Sequence, residues 1–259
     1  MLCIAGHKVN PRLVVFDKDG TLLTFEQMWH TWFDGLLEAL DALMPLDETM
    51  RTALAGTLGY DAETGVWDPL GPLTLASTKE VGLLIASQLY RYGGVTWDKA
   101  LDLVSEAERM AREGLALDEL IEPIGDVRGA LERFVEGGVL LALATTDDRA
   151  PTERALQKLG ISHLFAAVVC GDDGIPLKPA PDMAIEICKR VGVAPRETIM
   201  VGDTIADLVM ARRAGYSRAI GVSSGALPGE LLEPHADWVI PDIHAIEIVP
   251  CFDGEEGRA

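Results

Sequence analysis

Two carboxylates spaced two apart close the apolar run in LVVFDKDGTLL (residues 13–23): Asp17 and Asp19 follow Leu13, Val14, Val15 and Phe16 and precede Gly20 and Thr21. In an extended chain, residues i and i+2 point to the same side, about 6–7 Å apart, so both acids would look into whatever the strand end faces. Left unpaired there they are costly, and the pattern calls for a cation or for solvent. Further along, LLALA ends in Thr145, PLKPAPD places Lys178 in a Pro-punctuated loop ahead of a helix, and TIMV is followed by Gly202, Asp203 and, one helical turn on, Asp207. Strand ends thus deliver carboxylates and a hydroxyl, and a loop adds a lysine. Four facing carboxylates cannot all stay ionised without a divalent cation. Oxygen donors with no His or Cys nearby in sequence suit a hard ion, Mg²⁺ above all.

Such groups need strands to deliver them. From Asp126 the chain alternates two textures: DVRGALERFVEGG reads as a capped helix, VLLALATT as a strand, TERALQKLG as a helix, AAVVCGD as a strand and DMAIEICKRVG as a helix. The alternation continues with TIMVGD, TIADLVMARRAG, RAIGVSS, GELLEPH and a last strand, DWVI. Continuous apolar strands alternating with helices predict a parallel sheet covered on both faces, to which LVVF belongs by type. Between LVVF and Asp126 only helices are expected. Trp29, Trp32, Phe33, Leu36 and Leu40 recur at helical spacing, Ser77 and Glu80 form a capping box, and Gly114 closes TWDKALDLVSEAERMAREG. Strand-to-helix connections run about 2–6 residues, so the roughly 100 residues inserted here form a small domain of their own. It leaves from the carboxyl end of a strand, where such sheets bind ligands. The expected architecture is α/β: a doubly wound parallel-sheet (Rossmann-like) core, residues 1–21 and 125–259, with an all-helical cap, residues 22–124, placed to act as a lid.

The order DKDGT, a strand ending in Thr145, KPAPD and then GDTIAD resembles the haloacid dehalogenase-like hydrolase superfamily, and most of all its phosphoglycolate phosphatase-like branch with a helical cap. The resemblance spans residues 12 to 245. It implies a Mg²⁺-dependent phosphatase acting on a small phosphomonoester, phosphoglycolate or a similar metabolite. Asp17 would attack phosphorus to give an aspartyl-phosphate, and Asp19 would protonate the leaving oxygen and then activate water. Thr145 would hydrogen-bond a phosphoryl oxygen, and Lys178 would neutralise charge between nucleophile and phosphoryl group. Gly20 would permit the tight turn and close backbone approach beside that group. Asp17, Asp203, Asp207 and the backbone carbonyl of Asp19 would hold the metal. Two other readings stay open: a phosphomutase of the same superfamily, and a non-catalytic phosphometabolite-binding protein. A protein that only binds has no need of Asp19, which favours catalysis.

Two positions depart from the family pattern. Lys18 stands where an apolar residue is commoner, and strand alternation is expected to point it away from the two aspartates; Thr146 stands where Asn is common and is given no binding role. Trp29 and Trp32 are expected in the helical core, His30 at a surface or rim, and Lys79, Arg91 and Arg51 on solvated faces. GVSSG, Gly221 to Gly225, matches the G-x-S-x-G of serine hydrolases. However, Leu227-Pro228-Gly229 stands where a nucleophile elbow needs a helix, so the match reads as a loop.

The 259 residues carry a formal net charge of −19, which disfavours nucleic acid and anionic membranes as partners and asks for a local positive site if the substrate is phosphorylated. The longest apolar run is about six residues against the roughly 20 of a membrane span, and MLCIAGHKVNPR has no secretory apolar stretch. Cys3, Cys170, Cys188 and Cys251 are scattered as reduced thiols are. A cytoplasmic protein, monomer or homodimer, is expected. The polar tail from Asp253 is expected to fray.

Overall fold

The chain opens with an antiparallel pair, β1 (Leu2–Ile4) and β2 (His7–Val9), before LVVF forms β3 (Leu13–Phe16). The structure is a computed structural model that describes residues 1–24, 26–61, 64, 66–114 and 120–249; Cys251 and the tail from Asp253 lie outside them. After β3 come α1 (Glu26–Leu43), α2 (Glu48–Leu58), β4 (Tyr60–Asp61), β5 (Val66–Trp67), α3 (Pro72–Leu75), α4 (Thr78–Tyr92) and α5 (Trp97–Gly114). The alternating part follows as α6 (Val127–Glu136), β6 (Leu140–Ala144), α7 (Arg149–Lys158), β7 (Phe165–Val169), α8 (Asp182–Val191), β8 (Thr198–Gly202), α9 (Ile205–Ala214) and β9 (Arg218–Val222). The described chain closes with α10 (Gly229–Leu232), β10 (Trp238–Ile240) and β11 (Glu247–Ile248).

Six strands form one parallel sheet in the order β10-β9-β8-β3-β6-β7, the doubly wound core that the alternation predicts. Strand β3 is central, buried along its whole length and paired in register with β6 and β8. Its side chains alternate between two cores. Val14 and Phe16 pack with Leu141, Leu143, Ile199 and Phe134 on one face, while Leu13 and Val15 pack with Met183, Met200 and Leu208 on the other. The terminal strand β11 returns to β1, giving a separate three-stranded sheet, β11-β1-β2, that the sequence reading did not anticipate.

The inserted helices have a core of their own. Trp32, Leu36 and Leu40 of α1, spaced four apart, share it with Leu54 of α2, Ile85 of α4 and Val104 of α5. Ser77 caps α4 with Glu80 as a full capping box. The expectation of an all-helical insertion needs one addition, the hairpin β4–β5, in which Tyr60 pairs with Trp67. Its strands are two residues each, too short for a period-two pattern to register. His30, expected at a surface or rim, is half-buried and accepts a hydrogen bond at Nδ1 from the Trp67 indole (2.7 Å), which fixes the hairpin on α1. The two linkers between insertion and sheet run side by side: Thr24 N–H donates to Glu122 O (2.9 Å) and Ile124 N–H to Leu22 O (3.0 Å).

Candidate active site

The chain leaves β3 for strands on one side of it, β6 and β7, and later crosses to β8 on the other. The strand order therefore reverses between β3 and β8, and open α/β sheets bind ligands in the crevice at the carboxyl ends of such a pair. Asp17 follows β3 directly, its N–H continuing the ladder to Val201 O (2.9 Å), and Asp203 follows β8. Asp207 sits in the first turn of α9, where Thr204 and Asp207 form a capping box: Thr204 Oγ1 donates to Asp207 Oδ2 (2.6 Å) and accepts from the Asp207 N–H (3.3 Å). That capping leaves Asp207 Oδ1 to turn inward to Lys178.

Asp17, Asp203 and Asp207 are buried, and one carboxylate oxygen from each lies within 4.8 Å of the others. Lys178 bridges Asp17 and Asp207 from its loop, its Nζ 2.6 Å from Asp17 Oδ1 and 2.5 Å from Asp207 Oδ1. Asp203 is held from two sides, by the Thr21 hydroxyl on Oδ1 (3.2 Å) and the Ala226 N–H on Oδ2 (3.2 Å). Asp17, Asp19, Thr145, Lys178, Asp203 and Asp207 line one cleft of about 610 Å³, its open mouth included. From the insertion, Trp29, Leu73, Thr74, Leu75, Ala76 and Thr78 border the same cleft. Six of the seven residues singled out from the sequence thus meet on one cleft wall. The seventh, Gly20, has φ +80° and packs so closely on Asp203 and Gly225 that a Cβ there would overlap both. Thr145 is buried, and its Oγ1 accepts from the Asp147 N–H (3.1 Å).

Lys18 does not point away from the aspartates. Its ammonium lies 2.7 Å from both carboxylate oxygens of Asp19 and 3.0 Å from Asp147 Oδ2, with the side chain only 2% exposed. Strand β3 has already ended at Phe16, and the Lys18 carbonyl accepts from the N–H groups of Leu22 and Leu23, so the chain is turning and period-two alternation no longer applies. Asp147 escaped the sequence reading as well. The one signal was its place in TTDD, directly after a strand end that already supplies Thr145. Trp29 borders the cleft and stacks edge-on against the buried Trp32 (centroids 5.3 Å). Lys79, Arg91 and Arg51 are exposed, and Arg51 pairs with Asp41 (3.0 Å). The GVSSG stretch supports the acidic site instead of forming a nucleophile elbow: Ser224 Oγ donates to the Gly20 carbonyl (2.8 Å), and Gly225 backs Asp203.

Burial dominates the electrostatics. It pushes Asp17 up to about 7, with Asp207 and Asp19 adding to the rise and Lys178 opposing it. Asp203 is raised well above the ordinary carboxylate range by burial and then by Asp17 and Asp207; Asp19 is raised too, burial outweighing the nearby Lys18. Burial works against the Lys178 ammonium, but Asp17 and Asp207 outweigh it and hold its pKa above the ordinary lysine value. Three acids against one lysine leave this cluster electron-rich, and the donor set is all oxygen, which fits a hard divalent cation. The shift of Asp17 has a thermodynamic sign. A carboxyl raised from 3.8 to about 7 in the fold contributes stability that is complete below about pH 4 and is lost as pH rises through about 7. In EDTA, melting temperature should therefore fall between pH 5 and pH 8, and Asp17→Asn should flatten that fall. A slope unchanged by Asp17→Asn would contradict the burial of an ionised Asp17.

Fold and cleft define a capped α/β protein whose acidic site lies at the carboxyl edge of the sheet. The chain belongs to the haloacid dehalogenase-like hydrolase family, whose model matches residues 11–215. It is 29% identical over 178 residues to the phosphoglycolate phosphatase of Agrobacterium fabrum, an alignment covering 59% of this chain and 76% of that one. With "Probable phosphatase IndB" of Dickeya dadantii it is 28% identical over 230 residues, 89% of each chain. Matches to the phosphoglycolate phosphatases of Pasteurella multocida and Haemophilus influenzae span only 54% and 52% of those proteins. A solved structure described as a predicted phosphoglycolate phosphatase from Haemophilus somnus superposes with a TM-score of 0.68 at 18% identity, covering 92% of this chain and 96% of that one; at this identity the likeness concerns the fold.

Proposed function

We propose that the protein is a Mg²⁺-dependent phosphatase that hydrolyses a small phosphomonoester through an aspartyl-phosphate on Asp17. The observation that carries the reading is the buried trio Asp17, Asp203 and Asp207 at the β3–β8 crevice, with Lys178 bridging Asp17 and Asp207. Family membership and the phosphatases among its relatives support it. Counting Asp19 and Asp147, five carboxylates face two ammonium groups here, so a phosphate dianion could not enter uncompensated. Asp17, Asp203 and Asp207, with the Asp19 carbonyl, would hold Mg²⁺, which when bound supplies the positive charge that admits and polarises the phosphoryl group.

Asp17 is the nucleophile: a carboxylate oxygen bonds to phosphorus while the ester oxygen leaves with its electron pair. Asp19 gives that oxygen a proton, and the alcohol departs. Water then attacks the aspartyl-phosphate as Asp19 takes its proton, releasing inorganic phosphate and restoring both acids. Lys178 orients Asp17 and balances the transferring charge, while Thr145 and the turn at Gly20 position phosphoryl oxygens. Residues 22–124 are the cap and residues 1–21 with 125–259 the core, the paired linkers at Leu22–Thr24 and Glu122–Ile124 forming the joint. The cap closes over the cleft and excludes water during transfer.

Phosphoglycolate is the first substrate to try. The described cap residues on the cleft wall are apolar or hydroxyl-bearing, however, so uncharged leaving groups belong in the same panel. Phosphate release from phosphoglycolate, glycerol phosphate, sugar phosphates and nucleoside monophosphates should require Mg²⁺ and stop in EDTA. Release undiminished by EDTA would contradict the metal assignment. Saturating Mg²⁺, at about 100 times its dissociation constant, should also stabilise the fold by roughly 3 kcal/mol, read as a raised melting temperature.

A further inference from the structure

We infer that Lys18 is a positioning residue for the reaction, its buried ammonium clamping the Asp19 carboxylate and tying it to Asp147 across the two strand ends. The inference rests on the phosphatase reading above. An ammonium has three donors; here it donates to Asp19 Oδ1 (2.7 Å) and pairs with Asp19 Oδ2 (2.7 Å) and Asp147 Oδ2 (3.0 Å). Asp147 is itself fixed: its N–H donates to Thr145 Oγ1 (3.1 Å), and its Oδ1 accepts from the Asp148 N–H (2.8 Å). Among the described residues, Lys18 is the hydrogen-bond partner of the Asp19 side chain. The path of restraint thus runs from the end of β6 through Asp147 and Lys18 to Asp19.

The consequence is specific to proton transfer. Asp19 hands a proton to the leaving oxygen as the phosphorus–oxygen ester bond breaks and later takes one from the attacking water. Both transfers depend on where its carboxylate plane points. Lys18 touches neither substrate nor phosphorus in this scheme; it holds the group that does. A buried lysine with two acids could instead serve stability alone, and the two roles separate experimentally.

The test compares kcat/KM toward 4-nitrophenyl phosphate, whose leaving oxygen departs without a proton, with that toward phosphoglycolate or whichever alkyl phosphate ranks highest in the panel. The variants are Lys18→Met and Lys18→Met with Asp147→Asn, the second removing one of the two acids that the first leaves unpaired. Positioning predicts a loss of about 100-fold on the alkyl phosphate against less than about 5-fold on the aryl one. The double variant should recover part of the melting temperature while keeping the selective loss. Equal losses on both substrates, or alkyl turnover that returns together with melting temperature, would overturn the inference and leave Lys18 as a charge balance only. Turnover that survives Asp17→Asn is a separate result and would overturn the phosphatase reading itself.

Discussion

Asp17→Asn is expected to lower phosphate release by about 10⁴-fold or more while leaving the fold intact. The amide has the shape of the carboxylate but no anionic oxygen to bond phosphorus, so the first step of the proposed mechanism has no nucleophile. Folding should tolerate the change well. Asp17 is buried with its pKa pushed up to about 7, so its ionised form is a burden on the cation-free fold at neutral pH. Removing it relieves repulsion with Asp203 and Asp207 and forfeits one of the two partners of Lys178, which keeps Asp207. Steady-state phosphate release and a melting curve in EDTA at pH 8 check both halves. Activity within about 10-fold of wild type would remove Asp17 from its role.

Lys178→Met should cost both activity and stability. The ammonium sits 3% exposed between Asp17 and Asp207, so its loss leaves buried acids without their compensating charge, a change of about 3–5 kcal/mol. On the proposed mechanism the same loss removes the group that aligns Asp17 and balances the transferring phosphoryl, and a drop of about 10³-fold in kcat is expected. Saturating Mg²⁺ should recover part of the melting temperature by satisfying the acids, but not the rate. Near-wild-type turnover at saturating Mg²⁺ would place Lys178 outside the reaction.

The sheet and most of the site were legible because each is written in local pattern. Buried parallel strands read as uninterrupted apolar runs, and a carboxylate at the end of such a run has few reasons to be there. Asp17 and Asp203 stand out by that contrast and Lys178 only in their company, and the structure joins Asp17 to Lys178 although they lie 161 residues apart. What escaped depends on where extended structure stops. Alternation points Lys18 away from Asp19, but the chain is already turning there, and a long flexible stem carries its charge back to Asp19. The sheet β11-β1-β2 and the hairpin β4–β5 are built from strands of two or three residues, below the length at which periodicity speaks. His30 illustrates the same limit, since its partner Trp67 lies 37 residues away on one of those short strands.

On the proposed mechanism Asp17 itself becomes phosphorylated. Acid quench during turnover of the best substrate, followed by borohydride reduction and peptide mass analysis, reads this directly, because borohydride converts an aspartyl-phosphate to homoserine. Conversion at residue 17, dependent on substrate and Mg²⁺ and absent in Asp17→Asn, is the expected result. Steady turnover with Asp17 unmodified and the trapped group on another residue would contradict it.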